Sequence, residues 1–166
     1  MAGINFTVES DSKVVFDRTF QDVVNLTEDF RPFWDASAPA IYQANRELIR
    51  TQGASGGATW KPLTPAYAQW KAKHYPGQGM ERLTNALYES LSTRGATGNV
   101  DRRERDYAEF GSSLPWAMAQ HRGVPERNLP SRLLLVMNDA LQLTLQKVWQ
   151  GTLVGLVKAG LAERRR

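Results

Sequence analysis

The sequence predicts an α+β fold, and three observations carry that prediction. Ile4, Phe6 and Val8 alternate with Asn5, Thr7 and Glu9, which is the period of a half-buried strand. Apolar residues recur at helical spacing over two long stretches, 27–52 and 139–160. Between them lie segments punctuated by proline and glycine, suited to short helices and a hairpin. At 166 residues, 42% of them hydrophobic and 23% charged, the chain has the size and composition of one folded domain. That domain is expected to span 1–162, with a basic tail at 163–166.

The strand at 4–8 is expected to turn at Ser10-Asp11-Ser12 and return over 13–16, giving a hairpin with one apolar face that needs cover. Phe20, Val23 and Val24 mark a short helical or turn segment. A helix is expected over 27–52. Thr27 would cap it, Glu28 and Asp29 would suit its positive end, and Phe30, Phe33, Trp34, Ile41, Leu48 and Ile49 would form its buried stripe. Pro39 removes a backbone donor and is expected to kink or interrupt this helix. Gly53-Ala54-Ser55-Gly56-Gly57 reads as a loop, either mobile or ordered against a neighbouring subunit.

The stretch from Trp60 to Leu91 organises the rest. Thr64 and Pro65 open a short helix, Tyr67, Trp70 and His74 are expected to form its inward face, and Pro76-Gly77 stops it. A second helix is expected over 80–91, with Met80, Leu83, Leu87 and Leu91 on one stripe and Trp60 wedged between the two helices. Both are too short to be stable alone, so tertiary packing must hold them. Residues 99–111 predict a β-hairpin whose tip carries Arg102, Arg103 and Arg105, with Tyr107 and Phe110 anchoring the return strand; helical periodicity is the rival there. One or two helical turns over 114–121, an extended connector over 124–131 and a buried strand at 133–137 should follow. The last helix is capped by Asn138, complemented by Asp139, and ended by Gly160. Its Gly151 and Gly155 suit close packing against a neighbouring element.

The chain has no cysteine, which excludes disulfides, a thiolate nucleophile and a cysteine-bound metal. Its opening lacks the regions of a signal peptide, and its longest apolar stretch, 148–162, is too short to span a bilayer, so no membrane partner is expected. His74 is expected to be a partly buried, hydrogen-bonded histidine, and neither it nor His121 sits in a metal-binding or HExxH spacing. The glycine run lacks the lysine of a phosphate loop, and no serine sits in a nucleophile elbow. The chain is therefore expected to be no enzyme, with no catalytic residue, metal or cofactor. Its net charge of +4 is carried by arginine clusters. Arg102, Arg103 and Arg105, mixed with Asp101, Glu104 and Asp106, favour contact with another protein over contact with phosphate. Trp116 and His121 complete the set of candidate interface residues.

The order of motifs resembles the tail-completion and virion-morphogenesis proteins of tailed phages. Trp60-Lys61-Pro62-Leu63 and Lys71 match that family's tryptophan-x-proline-leucine box and following lysine, and Thr84, Leu87, Ser90 and Leu91 match its threonine-glycine-x-leucine-x-x-serine helix. Trp116-Ala117, Gln120-His121, Gly123 and Pro130-x-Arg132 before an apolar run are similar to its later part. Asn85 stands where the family usually has glycine, the histidine–glutamine order is inverted, and the second proline after the arginine is absent. The resemblance covers roughly the middle half of the chain. It implies a virion component, made in the host cytoplasm, that completes the tail or joins it to the head. Such a subunit would form a homo-oligomeric ring, a hexamer by analogy, against tail-tube and connector proteins, with DNA passing through the lumen. The alternative, from the basic charge, is a nucleic-acid-binding accessory protein.

Overall fold

The computed structural model describes residues 29–162 of the chain. The expected hairpin over 4–16, the segment at 20–24, the capping residues Thr27 and Glu28, and the basic tail lie outside these residues. Within them the fold is α+β. In chain order it consists of α1 (Arg31–Arg50), a 3-10 turn (Ala54–Gly56), α2 (Pro65–His74), α3 (Ala86–Ser92), β1 (Asn99–Arg103), β2 (Ala108–Ser112), α4 (Ala117–Arg122), a second 3-10 turn (Pro125–Arg127) and α5 (Asp139–Ala162).

Helix α1 starts just before Pro32, whose missing N–H costs nothing in a first turn. It runs through Pro39 without interruption. Pro39 and Asp35, whose carbonyl loses its helical donor, are both exposed, so the missing bond falls on the solvent side of the helix. The buried stripe of α1 is more polar than the sequence suggests: Ser37, Ala38, Tyr42, Asn45, Leu48 and Ile49. Its aromatic beginning packs on α5, where Trp149 stacks on Phe30 at 5.5 Å and meets Phe33 edge-on at 5.4 Å. Asn138 caps α5 as expected, its Oδ1 accepting the Leu141 N–H at 2.8 Å. Helix α5 continues past Gly160 to Ala162. A Cβ at Gly151 or Gly155 would meet nothing within 4 Å, so these glycines face open space rather than the close neighbour expected of them.

The glycine-rich run is tied into the body. Asn138 Nδ2 donates to the Ser55 carbonyl at 2.6 Å, and the Ser55 N–H donates to Thr51 Oγ1 at 3.1 Å. Gly53, at φ +92°, is a required glycine: a Cβ there would lie 2.5 Å from the Trp60 ring. Trp60 fills the space thus left and joins Leu48, Ile49, Met80, Leu87, Leu91, Ala117 and Leu134 in the central core.

Helix α3 is shorter than the stripe Met80–Leu83–Leu87–Leu91 implies, because Glu81 (φ 59°) and Asn85 (φ 60°) adopt left-handed backbone that no α-helix accommodates. The burial pattern holds for Met80, Leu87 and Leu91; the helical start does not. The last carbonyls of α3 find donors on α1, with Asn45 Nδ2 on the Leu91 carbonyl and Arg46 Nη1 on that of Ser92, both at 2.9 Å. Asparagine tolerates the left-handed region better than most residues. Asn85→Gly is therefore expected to alter stability by no more than about 0.5 kcal/mol and Asn85→Val to cost about 1–2 kcal/mol, measured by urea unfolding.

The hairpin β1–β2 pairs antiparallel with Asp101 opposite Phe110 and Arg102 opposite Glu109, as the residues around 99–111 predict. Helix α4 ends at Gly123 (φ +76°), also as expected. Two expectations are corrected beyond it. The connector is no simple extended strand, since Pro125–Arg127 forms a 3-10 turn bracketed by a Val124–Leu129 bridge. Residues 133–137 form no strand: Leu134 is buried while Leu133, Leu135 and Met137 are exposed. Their polar partners are not a neighbouring strand: the Leu133 carbonyl accepts Trp60 Nε1–H at 3.1 Å and the Leu134 N–H donates to His121 Nδ1 at 3.1 Å.

Candidate functional site

A cleft of about 1260 Å³ opens between α2, the turn leading into α3, and the α4 connector. Its position follows from local sequence. The left-handed backbone at Glu81 and Asn85 turns the chain sharply into α3, and Gly123 lets the connector fold back. A Cβ at Gly123 would lie 2.5 Å from the Ser131 nitrogen, so only glycine permits that return.

Three ionisable side chains form the floor. Lys71, one turn after Tyr67 on α2, is buried and its Nζ donates to the Gly79 carbonyl at 2.5 Å. Glu81 accepts from Arg132 Nη1 at 2.9 Å, with both side chains 5% exposed. Arg132 Nη1 also reaches Gln120 Oε1 at 3.3 Å, while its buried Nε has no hydrogen-bond partner among the described residues. Burial pushes the Glu81 carboxyl above its ordinary value, against the pull of Arg132 and Lys71. Burial likewise lowers the Lys71 pKa, an effect that Glu81 opposes and Arg132 reinforces. Two cations sharing one carboxylate leave the floor net positive. At the walls stand Lys61, Arg82, Arg122 and Arg127, together with Tyr67 and Trp116.

The aromatic face of α2 is turned outward, contrary to expectation. Tyr67 and Trp70 are each 42% exposed and stack at 5.4 Å, and Trp70 stacks on His74 at 5.0 Å. His74 Nδ1 is 2.7 Å from the Trp70 carbonyl, and the residue is exposed rather than partly buried. The apolar rings cover one another, and the face that turns inward carries Lys71.

The predicted interface residues divide between two places. Trp116 is 47% exposed and lines the cleft. His121, nearby on α4, is engaged inward through the Leu134 N–H and accepts the Ser131 hydroxyl on its carbonyl at 2.8 Å. The three arginines lie on the hairpin. Arg102 is exposed and pairs with Glu109 across the strands at 3.2 Å. Arg105 is exposed, and its carbonyl accepts the Phe30 N–H at 2.7 Å. Arg103 is not a projecting tip residue. Its side chain, 10% exposed, folds back onto Asp101 at 2.6 Å and Asp35 at 2.7 Å. Tyr42 donates to the same Asp101 carboxylate at 2.7 Å, so this network fastens the hairpin to α1.

Burial pushes the Asp101 carboxyl up, but the hydrogen bonds from Arg103 and Tyr42 outweigh it and hold the group below its ordinary value. A depressed carboxyl stabilises the fold above its unfolded pKa of about 3.9 and loses that contribution as pH falls through the lower folded value. Asp101→Asn is expected to lower stability at pH 7 and to flatten the loss of stability below about pH 4, measured by urea unfolding across pH.

Sequence reasoning missed the buried Lys71–Glu81–Arg132 cluster as a site. The available signal was that Lys71 and Arg132 both stand at motif positions, where a charge kept only for solubility has no reason to be. Among the described residues, no group of three or more His, Asp or Glu side chains is arranged to hold a metal ion, and no helix is long and apolar enough to cross a membrane. Comparison with models of known families, with curated proteins and with solved structures finds no match to this chain.

Proposed function

We propose that this chain is a non-enzymatic structural subunit of a tailed phage, completing the tail or joining it to the head as a homo-oligomeric ring. One observation carries the reading: the motif residues of the resemblance, scattered over four stretches of sequence, meet around one buried locus. Trp60 donates to the Leu133 carbonyl beside Arg132, while Arg132 pairs with Glu81, whose charge also attracts Lys71. Gln120 accepts from Arg132, and Gly123 makes the close return that brings Arg132 in. Asn85 still departs from the family's glycine, but its left-handed φ of 60° is a conformation that glycine favours, which supports the reading.

Assembly would use surfaces that the monomer leaves open. A two-stranded sheet has two outer edges, and Arg102 is exposed on β1 while Trp116 is exposed just before α4. The test is the mass of the purified chain across a wide concentration range, followed by imaging of large species. Closed rings are expected, alone or on isolated tail tubes, and Arg102→Glu with Trp116→Ala should reduce them without loss of helix signal. A chain that stays monomeric in both settings, or binds DNA with a steep salt dependence while forming no ring, overturns the proposal.

A further inference from the structure

The cleft concentrates charge in a way that the chain as a whole does not. Six cationic side chains and a single carboxylate line it, although the entire chain carries a net charge of only +4. Opposed charges elsewhere are matched locally, as in Arg102–Glu109, Arg50–Glu47 and Arg103–Asp101. At the floor, Lys71 has three ammonium protons and one hydrogen-bond acceptor among the described residues, the Gly79 carbonyl. The Arg132 guanidinium divides itself between Glu81 and Gln120 and leaves Nε unpaired. An unpaired buried donor is a standing cost that a further acceptor relieves. Apolar side chains of Pro62, Leu63, Leu83, Leu129 and Trp116 line part of the wall.

We infer that this cleft is a docking site for an extended acidic peptide segment of a partner protein, its carboxylates directed to Lys71 and Arg132 and its apolar side chains to the Leu63–Trp116 wall. Charge complementarity supplies the sign of the partner, and depth supplies its form. The floor cations are recessed, so the phosphates of a rigid duplex would reach only the rim, whereas a single extended chain can enter. A flexible nucleic acid strand needs successive free aromatic faces. Here the two wall rings are Tyr67, already stacked on Trp70, and Trp116, which offers no run of free faces. Carboxylates meet guanidinium and ammonium groups through charge-assisted hydrogen bonds, and apolar anchors beside them give such contacts their affinity. This inference is independent of the phage assignment, because the cleft and its charges belong to the subunit whatever it completes.

The experiment is fluorescence anisotropy on the full chain. The probe is a fluorescein-labelled peptide of glutamate-glutamate-leucine repeats, compared with a lysine-lysine-leucine counterpart and with labelled oligodeoxythymidylate. The acidic peptide alone is expected to bind. Reversing two exposed rim charges, Lys61→Glu with Arg127→Glu, should weaken it by about tenfold or more, while the same reversal outside the cleft, Arg50→Glu with Lys147→Glu, should change it by less than about twofold. Equal weakening by both pairs would reduce the binding to net charge and overturn the site. Tighter binding of the oligodeoxythymidylate, or no binding of the acidic peptide, would overturn the choice of partner.

Discussion

Replacing Arg132 by methionine is expected to remove about 3–5 kcal/mol of folding stability at pH 7, the usual cost of breaking one side of a buried ion pair. Methionine keeps much of the apolar stem, so the loss is chiefly electrostatic: Glu81, 5% exposed, is left with only the Coulombic attraction of Lys71. The pH dependence separates this cause from a packing defect. The Glu81 carboxyl already lies above its ordinary value through burial, and removing the guanidinium raises it further. The folded variant then takes up a proton more readily than the unfolded chain, so its deficit should shrink as pH falls toward the ordinary glutamate pKa of about 4.3. Adding Glu81→Gln should recover more than about 1 kcal/mol, which a double-mutant cycle in urea would register as coupling. Additive losses with no pH dependence would mean that the pair contributes shape alone.

Trp60→Ala is expected to cost about 3–5 kcal/mol, the range for emptying a large aromatic site in a packed core. Trp60 is 5% exposed, touches the central cluster, and supplies the donor for the Leu133 carbonyl. Trp60→Phe keeps most of the ring volume and loses that hydrogen bond, so it should cost about 1–3 kcal/mol. The difference between the two variants measures packing against donor satisfaction. If phenylalanine proves as damaging as alanine, the Leu133 carbonyl rather than the core dominates.

Strong local chemistry made several elements legible. Helix α5 carries a cap, an acidic first turn and a stripe of Leu141, Leu145, Val148 and Trp149, all of which agree. The hairpin was legible for a similar reason, with Phe110 returning after a charged turn, although Tyr107 precedes β2 and is exposed rather than anchoring it. What stayed hidden depends on tertiary partners. The rings of α2 were expected to turn inward because apolar side chains usually do, yet they stack on one another and Lys71 is the residue that turns in, onto the Gly79 carbonyl. Residues 133–137 have strand composition but no strand beside them, and single side chains, Trp60 and His121, take up their backbone groups. The start of α3 was hidden because a left-handed glutamate cannot be inferred from periodicity. Of the candidate interface residues, Arg102 and Trp116 lie open to contact. Arg103 is drawn inward by Asp35, an aspartate 68 residues away in sequence.

The positive-φ backbone around the cleft also bears on how the chain can diverge. Glu81, Asn85, Gly123 and Asn128 all line the cleft and all have φ between 53° and 76°. Most side chains are strained there, so substitution at these four positions is restricted regardless of what the cleft holds. The rim charges at Lys61, Arg122 and Arg127 carry no such backbone restriction and are free to vary with a changing partner. Descendants of this chain should then keep glycine at 123 and glycine or asparagine at 85 and 128 while exchanging the charges between them, a fixed frame around a replaceable lining.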